Sequence, residues 1–145
     1  MTQTLGTVKE GDVIAEGPWA GFTVVSAYTR AQAIEDGTLI DISDIAVRFF
    51  KIPVAVTSTI WAWLEESAVL HNVGRPKNIQ RDVTDMTAEL AQGLYLAVVH
   101  GSNRGRGDRF TMKLKLGEAE KILLSICGPG DDGEPVITIM EPGEE

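Results

Sequence analysis

The apolar positions of this chain change their period once in its second half. From Asp82 onward, Val83, Met86, Leu90, Leu94, Ala97 and Val98 recur at spacings of three and four, which predicts a long helix to about Val99. Gly93 lies inside it, at a cost of about 1 kcal/mol relative to alanine. Beyond the glycine-rich stretch that follows, Phe110, Met112, Leu114 and Leu116 alternate with Thr111, Lys113 and Lys115, the period of a half-buried strand. Lys121–Cys127 and Val136–Met140 predict two more strands, separated by the turn sequence Gly128-Pro129-Gly130-Asp131-Asp132-Gly133-Glu134-Pro135. The chain thus ends in an antiparallel β-meander.

The first half carries shorter signals. Residues 1–21 hold Gly6, Gly11, Gly17, Pro18 and Gly21 with little periodicity and read as an extended lead-in, pinned to the domain by Trp19 and the following Phe22. Phe22–Tyr28 is β-branched and aromatic, a strand, and it stops at Thr29-Arg30-Ala31-Gln32, where the hydroxyl of Thr29 and the side chain of Gln32 can form a capping box. The helix it opens should end at Gly37, with Leu39-Ile40-Asp41-Ile42 extended after it. Ser43 or Asp44 then caps a second short helix through Ile45, Ala46, Phe49 and Phe50, broken before Pro53. Thr57 or Ser58 opens a third, with Ile60, Trp61, Leu64, Ala68 and Trp63 apolar and Glu65 and Glu66 on the wet side. His71–Asn78 is a loop, and Asp82 caps the long helix. This order lacks regular strand–helix alternation. It predicts an α+β fold over residues 1–145 as one domain, an antiparallel sheet with a C-terminal β-meander, covered on one face by about four helices.

Composition narrows the class. Of 145 residues 43% are apolar and 23% charged, enough to bury a core. The net charge of −8 is uneven: residues 1–74 carry 4 basic and 9 acidic residues, residues 75–121 carry 9 and 6, and residues 122–145 carry 0 and 6. That sign argues against direct nucleic-acid binding, though an acidic surface can also imitate phosphates in another protein's DNA site. There is no secretory signal at the start and no apolar run long enough to span a membrane. A single cysteine, Cys127, in the run Leu-Leu-Ser-Ile-Cys, reads as a core thiol. A cytoplasmic protein is the expectation.

Candidate chemistry is sparse. Asp131, Asp132 and Glu134 offer oxygen ligands to a hard cation, but they lack the ligand spacing of an EF-hand loop and suit a solvated hairpin turn equally well. The loop Gly101–Arg109 brings three arginines among glycines without the P-loop pattern. His71 and His100 each close a helix, where the dipole favours a cation, and neither has zinc-ligand companions. No Gly-x-Ser-x-Gly elbow is present. These residues imply no cofactor and no metal.

Three strings resemble one uncharacterised bacterial family: Tyr28-Thr29-Arg30-Ala31-Gln32-Ala33-Ile34-Glu35-Asp36-Gly37, then Pro53-Val54-Ala55-Val56-Thr57 with Trp61, then Cys127 to Met140. Members of that family occur on plasmids, phages and other mobile elements. The resemblance spans Phe22 to the C-terminus and implies a small accessory protein that acts by binding a host macromolecule, for example in anti-defence. Its partner would be a host protein with a basic surface, engaged by the acidic surface and the Asp131, Asp132 and Glu134 turn. Two alternatives stand beside it. One is an enzyme with a nucleotide cleft like that of small ADP-ribosyltransferases, in which Tyr28, Thr29, Arg30 and a carboxylate of the C-terminal turn line one cleft. The other is a homodimer formed through the apolar helix face around Trp61 and Trp63.

Overall fold

The computed structural model describes residues 28–100 and 108–144. The expected strand Phe22–Tyr28 and the lead-in before it lie outside the described residues but for Tyr28, and so does most of the arginine loop. The elements run α1 (Arg30–Asp36), β1 (Leu39–Asp41), α2 (Ser43–Ala46), β2 (Val54–Thr57), α3 (Ser58–Asn72), α4 (Val83–His100), β3 (Arg109–Leu116), β4 (Ala119–Pro129) and β5 (Pro135–Met140), with a 3-10 turn at Lys77–Ile79.

The strands form one sheet in the order β1-β2-β5-β4-β3. The α+β class and the C-terminal meander are as the sequence implies, because β3, β4 and β5 pair antiparallel in succession. The sheet as a whole is mixed: β2 runs antiparallel to β1 but parallel to β5, in the register Val54↔Ile137, Ala55↔Thr138, Val56↔Ile139. The period reading missed β2, taking Pro53 as a break and Thr57 only as a cap. Val54, Ala55, Val56 and Thr57 are all buried. A four-residue strand covered on both faces gives no alternation to read.

Side-chain alternation assigns the faces. Val54 and Val56 of β2, Ile137 and Ile139 of β5, Leu123 of β4, and Met112, Leu114 and Leu116 of β3 share a cluster with Ala46, Ile60, Leu64, Met86, Leu90 and Leu94 of α2, α3 and α4. These three helices therefore cover one face. The fourth, α1, reaches the other: Arg30 donates to the hydroxyl of Thr138, a residue that points away from Ile137 and Ile139.

Caps fix where the helices begin and end. Thr29 and Gln32 form the expected capping box on α1, which closes at Gly37 with φ 85°. Thr57 caps α3 through the Ile60 N–H, and Asp82 and Asp85 cap α4 reciprocally, each carboxylate accepting the other residue's backbone N–H at 2.9 Å. The second helix differs from expectation. It is one turn, its N-cap is Ile42 without a side-chain cap bond, and Phe49 and Phe50 follow it in a turn, both backbone N–H groups on the Ala46 carbonyl. The reason is that the Ser43 hydroxyl bonds the backbone of Val54 and the Asp41 carboxylate, joining α2 to β2 rather than capping the helix.

Three further positions show how closely the layers meet. A Cβ at Gly93 would lie 2.8 Å from Leu114 Cδ1, so the glycine within α4 lets that helix approach β3. The β3–β4 hairpin turns on Gly117-Glu118 with φ 62° at Gly117, the glycine-first pattern of a two-residue turn. Cys127 corrects the expectation of a core thiol. The buried stretch of β4 is Leu123, Leu124 and Ser125, and Cys127, nearer the Pro129 turn, is exposed.

Ser125 is 5% exposed, and its Oγ has no hydrogen-bond partner. A buried hydroxyl left unpaired costs about 1–3 kcal/mol. Ser125→Ala should therefore raise stability by about 1 kcal/mol in denaturant unfolding. A loss of 1 kcal/mol or so would mean that the hydroxyl is satisfied.

Candidate functional site

The predicted site residues fall where the start of α1 meets the β4–β5 turn. Tyr28 and Thr29 immediately precede α1, Arg30 is its first residue, and Asp131, Asp132 and Glu134 belong to the turn between Pro129 and Pro135. The structure brings Arg30 and Asp131 together across about a hundred residues of chain. The Asp131 carboxylate accepts the backbone N–H of Arg30 at 2.8 Å and that of Ala31 at 3.0 Å, satisfying two donors that a helix start leaves free.

The guanidinium of Arg30 completes the clasp on β5, donating to Thr138 Oγ1 at 2.6 Å and to the Ile137 carbonyl at 2.8 Å. Burial lowers the Arg30 pKa from its ordinary value, and the nearby carboxylates of Asp41, Asp131 and Glu134 act the other way, holding its charge. One end of α1 is thereby tied to both the turn and the strand after it.

The turn is ordered from within. The Gly130 N–H donates to the Glu134 carbonyl at 2.6 Å, the Gly133 N–H to the Gly130 carbonyl at 3.1 Å, and the Asp132 N–H to the Glu134 carboxylate at 3.0 Å. The Glu134 side chain folds over Gly130 so closely that a Cβ there would stand 2.0 Å from its Oε1. A side chain at this position would require the Glu134 carboxylate to move aside. Asp132 is exposed, whereas the carboxylates of Asp131 and Glu134 each accept backbone N–H groups.

Tyr28 lies on the outer side of the same corner. Its hydroxyl donates to the Asp36 carboxylate and contacts Thr38 Oγ1, bridging the two ends of α1, and 60% of the residue is exposed. The Tyr28 hydroxyl, then the Thr38 hydroxyl and backbone N–H, hold the Asp36 carboxyl below its ordinary value. The same bond to Asp36 pushes the Tyr28 phenol up. A carboxyl depressed by folding stabilises the fold above its unfolded pKa, and that contribution is lost as pH falls through the folded value. This clip therefore weakens in acid, below about pH 4.

The nucleotide-cleft arrangement required Tyr28, Thr29, Arg30 and a carboxylate of the C-terminal turn to line one cleft. Here Thr29 is spent in the capping box, Arg30 on β5, and Asp131 on the α1 backbone. Concave surfaces occur elsewhere. One of about 630 Å³ lies between the end of α3 and the β3–β4 turn, lined by Leu70, His71, Val73, Arg75 and Leu116 among others. A shallower, more open one of about 590 Å³ lies along the outer side of α3, over Ala62, Glu65, Glu66, Val69 and Leu70. Sequence reasoning missed both, although Val69, Leu70 and Val73 are legible as apolar residues at the end of a helical stretch. Among the described residues no three His, Cys, Asp or Glu side chains are grouped to hold a metal ion. No helix there is long and apolar enough to cross a membrane.

The family model of DUF6573, a family of unknown function, matches residues 17–145, which include every residue of the clasp. The chain belongs to that family. No curated protein and no solved structure matches it.

Two measurements check the chemistry of the corner. Asp131→Ala should destabilise the fold by about 1–2 kcal/mol, with Asp131→Asn intermediate because it keeps one acceptor, and equal stability of all three would show that the clasp contributes nothing. Tyr28→Phe should return the Asp36 carboxyl toward the ordinary aspartate value in a side-chain NMR titration, and an unchanged titration would contradict the assigned cause.

Proposed function

We propose that this protein works by binding rather than by catalysis, presenting an acidic surface around the β4–β5 turn to a basic site on a host macromolecule. The observation that supports this most is how the polar groups of the corner are used. Asp131 accepts the Arg30 backbone N–H, the Arg30 side chain bonds β5, Thr29 and Gln32 cap α1, and Glu134 accepts the Asp132 N–H, so these groups serve to fix the corner, on which Asp132 and Tyr28 are exposed. A turn held in this way presents charge with little ordering left to lose on binding.

The charge distribution supports the same reading. Three carboxylates, Asp131, Asp132 and Glu134, fall between Pro129 and Pro135, and that turn contains no lysine or arginine. An acidic face of this kind speeds encounter with a basic partner and makes the complex sensitive to salt. The mobile-element setting that the sequence resemblance implies would make a host protein the target, with interference in host defence as the role.

The test is affinity capture from bacterial lysate with the wild type and with Asp132→Lys, at low and at high salt. The reading expects a specific basic protein that is retained by the wild type at low salt, released at high salt, and lost with Asp132→Lys. Recovery of nothing, or of the same protein equally by both forms, contradicts it.

A further inference from the structure

The outward face of α3 carries apolar residues that the core does not use. Its inward residues Ile60, Leu64 and Ala68 are buried, whereas Val69 and Leu70, with Val73 just past the helix end, are 66%, 66% and 71% exposed. A helix face turned to solvent normally carries polar side chains, and contiguous large apolar residues there mark an interaction surface. Trp61 and Trp63 do not form it. Both are half-buried against the core cluster, and Lys121 Nζ lies 5.8 Å from the Trp63 ring.

Leu70 lines both concavities described above, so they meet at this residue. Their charges differ. Glu65 and Glu66 line the one toward the start of α3, while His71 and Arg75 line the one beyond its end, together with Glu118 of the β3–β4 turn. Arg75 is exposed, and its guanidinium caps the helix by donating to the His71 carbonyl, which leaves further N–H groups for a carboxylate.

We infer that this face binds a second copy of the chain, the two α3 helices running antiparallel across a two-fold axis at Leu70. Isologous pairing needs a surface complementary to itself, with an apolar centre and opposite charges displaced to its two ends. Glu65 and Glu66 precede Leu70 on α3, and the Arg75 guanidinium is held beyond it at the helix end by the His71 carbonyl. A two-fold there sets Glu65 and Glu66 of each chain against Arg75 of the other, while Val69, Leu70 and Val73 close the middle. One helix face buries less than the roughly 800 Å² per partner of a standard interface, so the dimer belongs to the weak, micromolar class. This surface is separate from the β4–β5 turn, and the inference does not depend on the binding role proposed for that turn.

Sedimentation equilibrium from micromolar to millimolar protein tests it, at about 0.15 M salt, where screening beyond about 8 Å subdues the repulsion of two acidic chains. The wild type should be in monomer–dimer exchange. Leu70→Asp should abolish the dimer, and Glu66→Arg and Arg75→Glu should each weaken it about tenfold or more. The double variant Glu66→Arg/Arg75→Glu should recover affinity to within about threefold of wild type. All these positions are exposed, and circular dichroism checks that each variant is folded. A monomer throughout, a dimer indifferent to Leu70→Asp, or a double variant no better than its single parents would overturn the inference.

Discussion

The parallel ladder between β2 and β5 is the constraint on which the rest of the structure depends. Only three residue pairs form it, Val54↔Ile137, Ala55↔Thr138 and Val56↔Ile139. Through those pairs the short N-terminal hairpin of β1 and β2 joins the C-terminal meander. On one side of the ladder Val54, Val56, Ile137 and Ile139 meet the helices in a common core. Apolar burial at about 25 cal/mol per Å² supplies the drive, and the ladder fixes which residues share it.

The same strand carries the second tie. Arg30 bonds Ile137 and Thr138 on the face opposite the core, and Asp131 closes the α1 backbone from the turn just before β5. Hence β5 is held by β2 and β4 at its edges, by the helical layer on one face, and by α1 on the other. Of the three turn carboxylates that look most available for chemistry in the sequence, Asp131 serves this attachment, Glu134 orders the turn and Asp132 is exposed.

What was legible in the sequence was local. The Thr29–Gln32 capping box, Gly37, the Asp82 cap, the three-and-four spacing of α4 and the alternation of β3 are each read within a few residues, because each depends on contacts of that range. The strand β2 was not legible, since four buried residues show no period and the partner that makes them a strand lies some eighty residues further on. Nor was the clasp: Arg30, Asp131 and Asp132 were picked out as candidates, but which carboxylate would meet the α1 backbone depends on the parallel register. Ser43 shows the same limit, reading as a helix cap and serving instead as a bridge to Val54. The exposed stripe on α3 was readable as apolar residues, but exposure is a property of the packed layers rather than of the string.

If β5 unites the two halves, they must unfold together. The most direct measurement is denaturant unfolding followed at once by backbone NMR signals of α3 and α4, and by those of β3 and β4. Coincident midpoints and slopes for the two sets are the predicted result. A helical set that melts while the meander's signals persist, or the reverse, would contradict a common interior joined through β2 and β5.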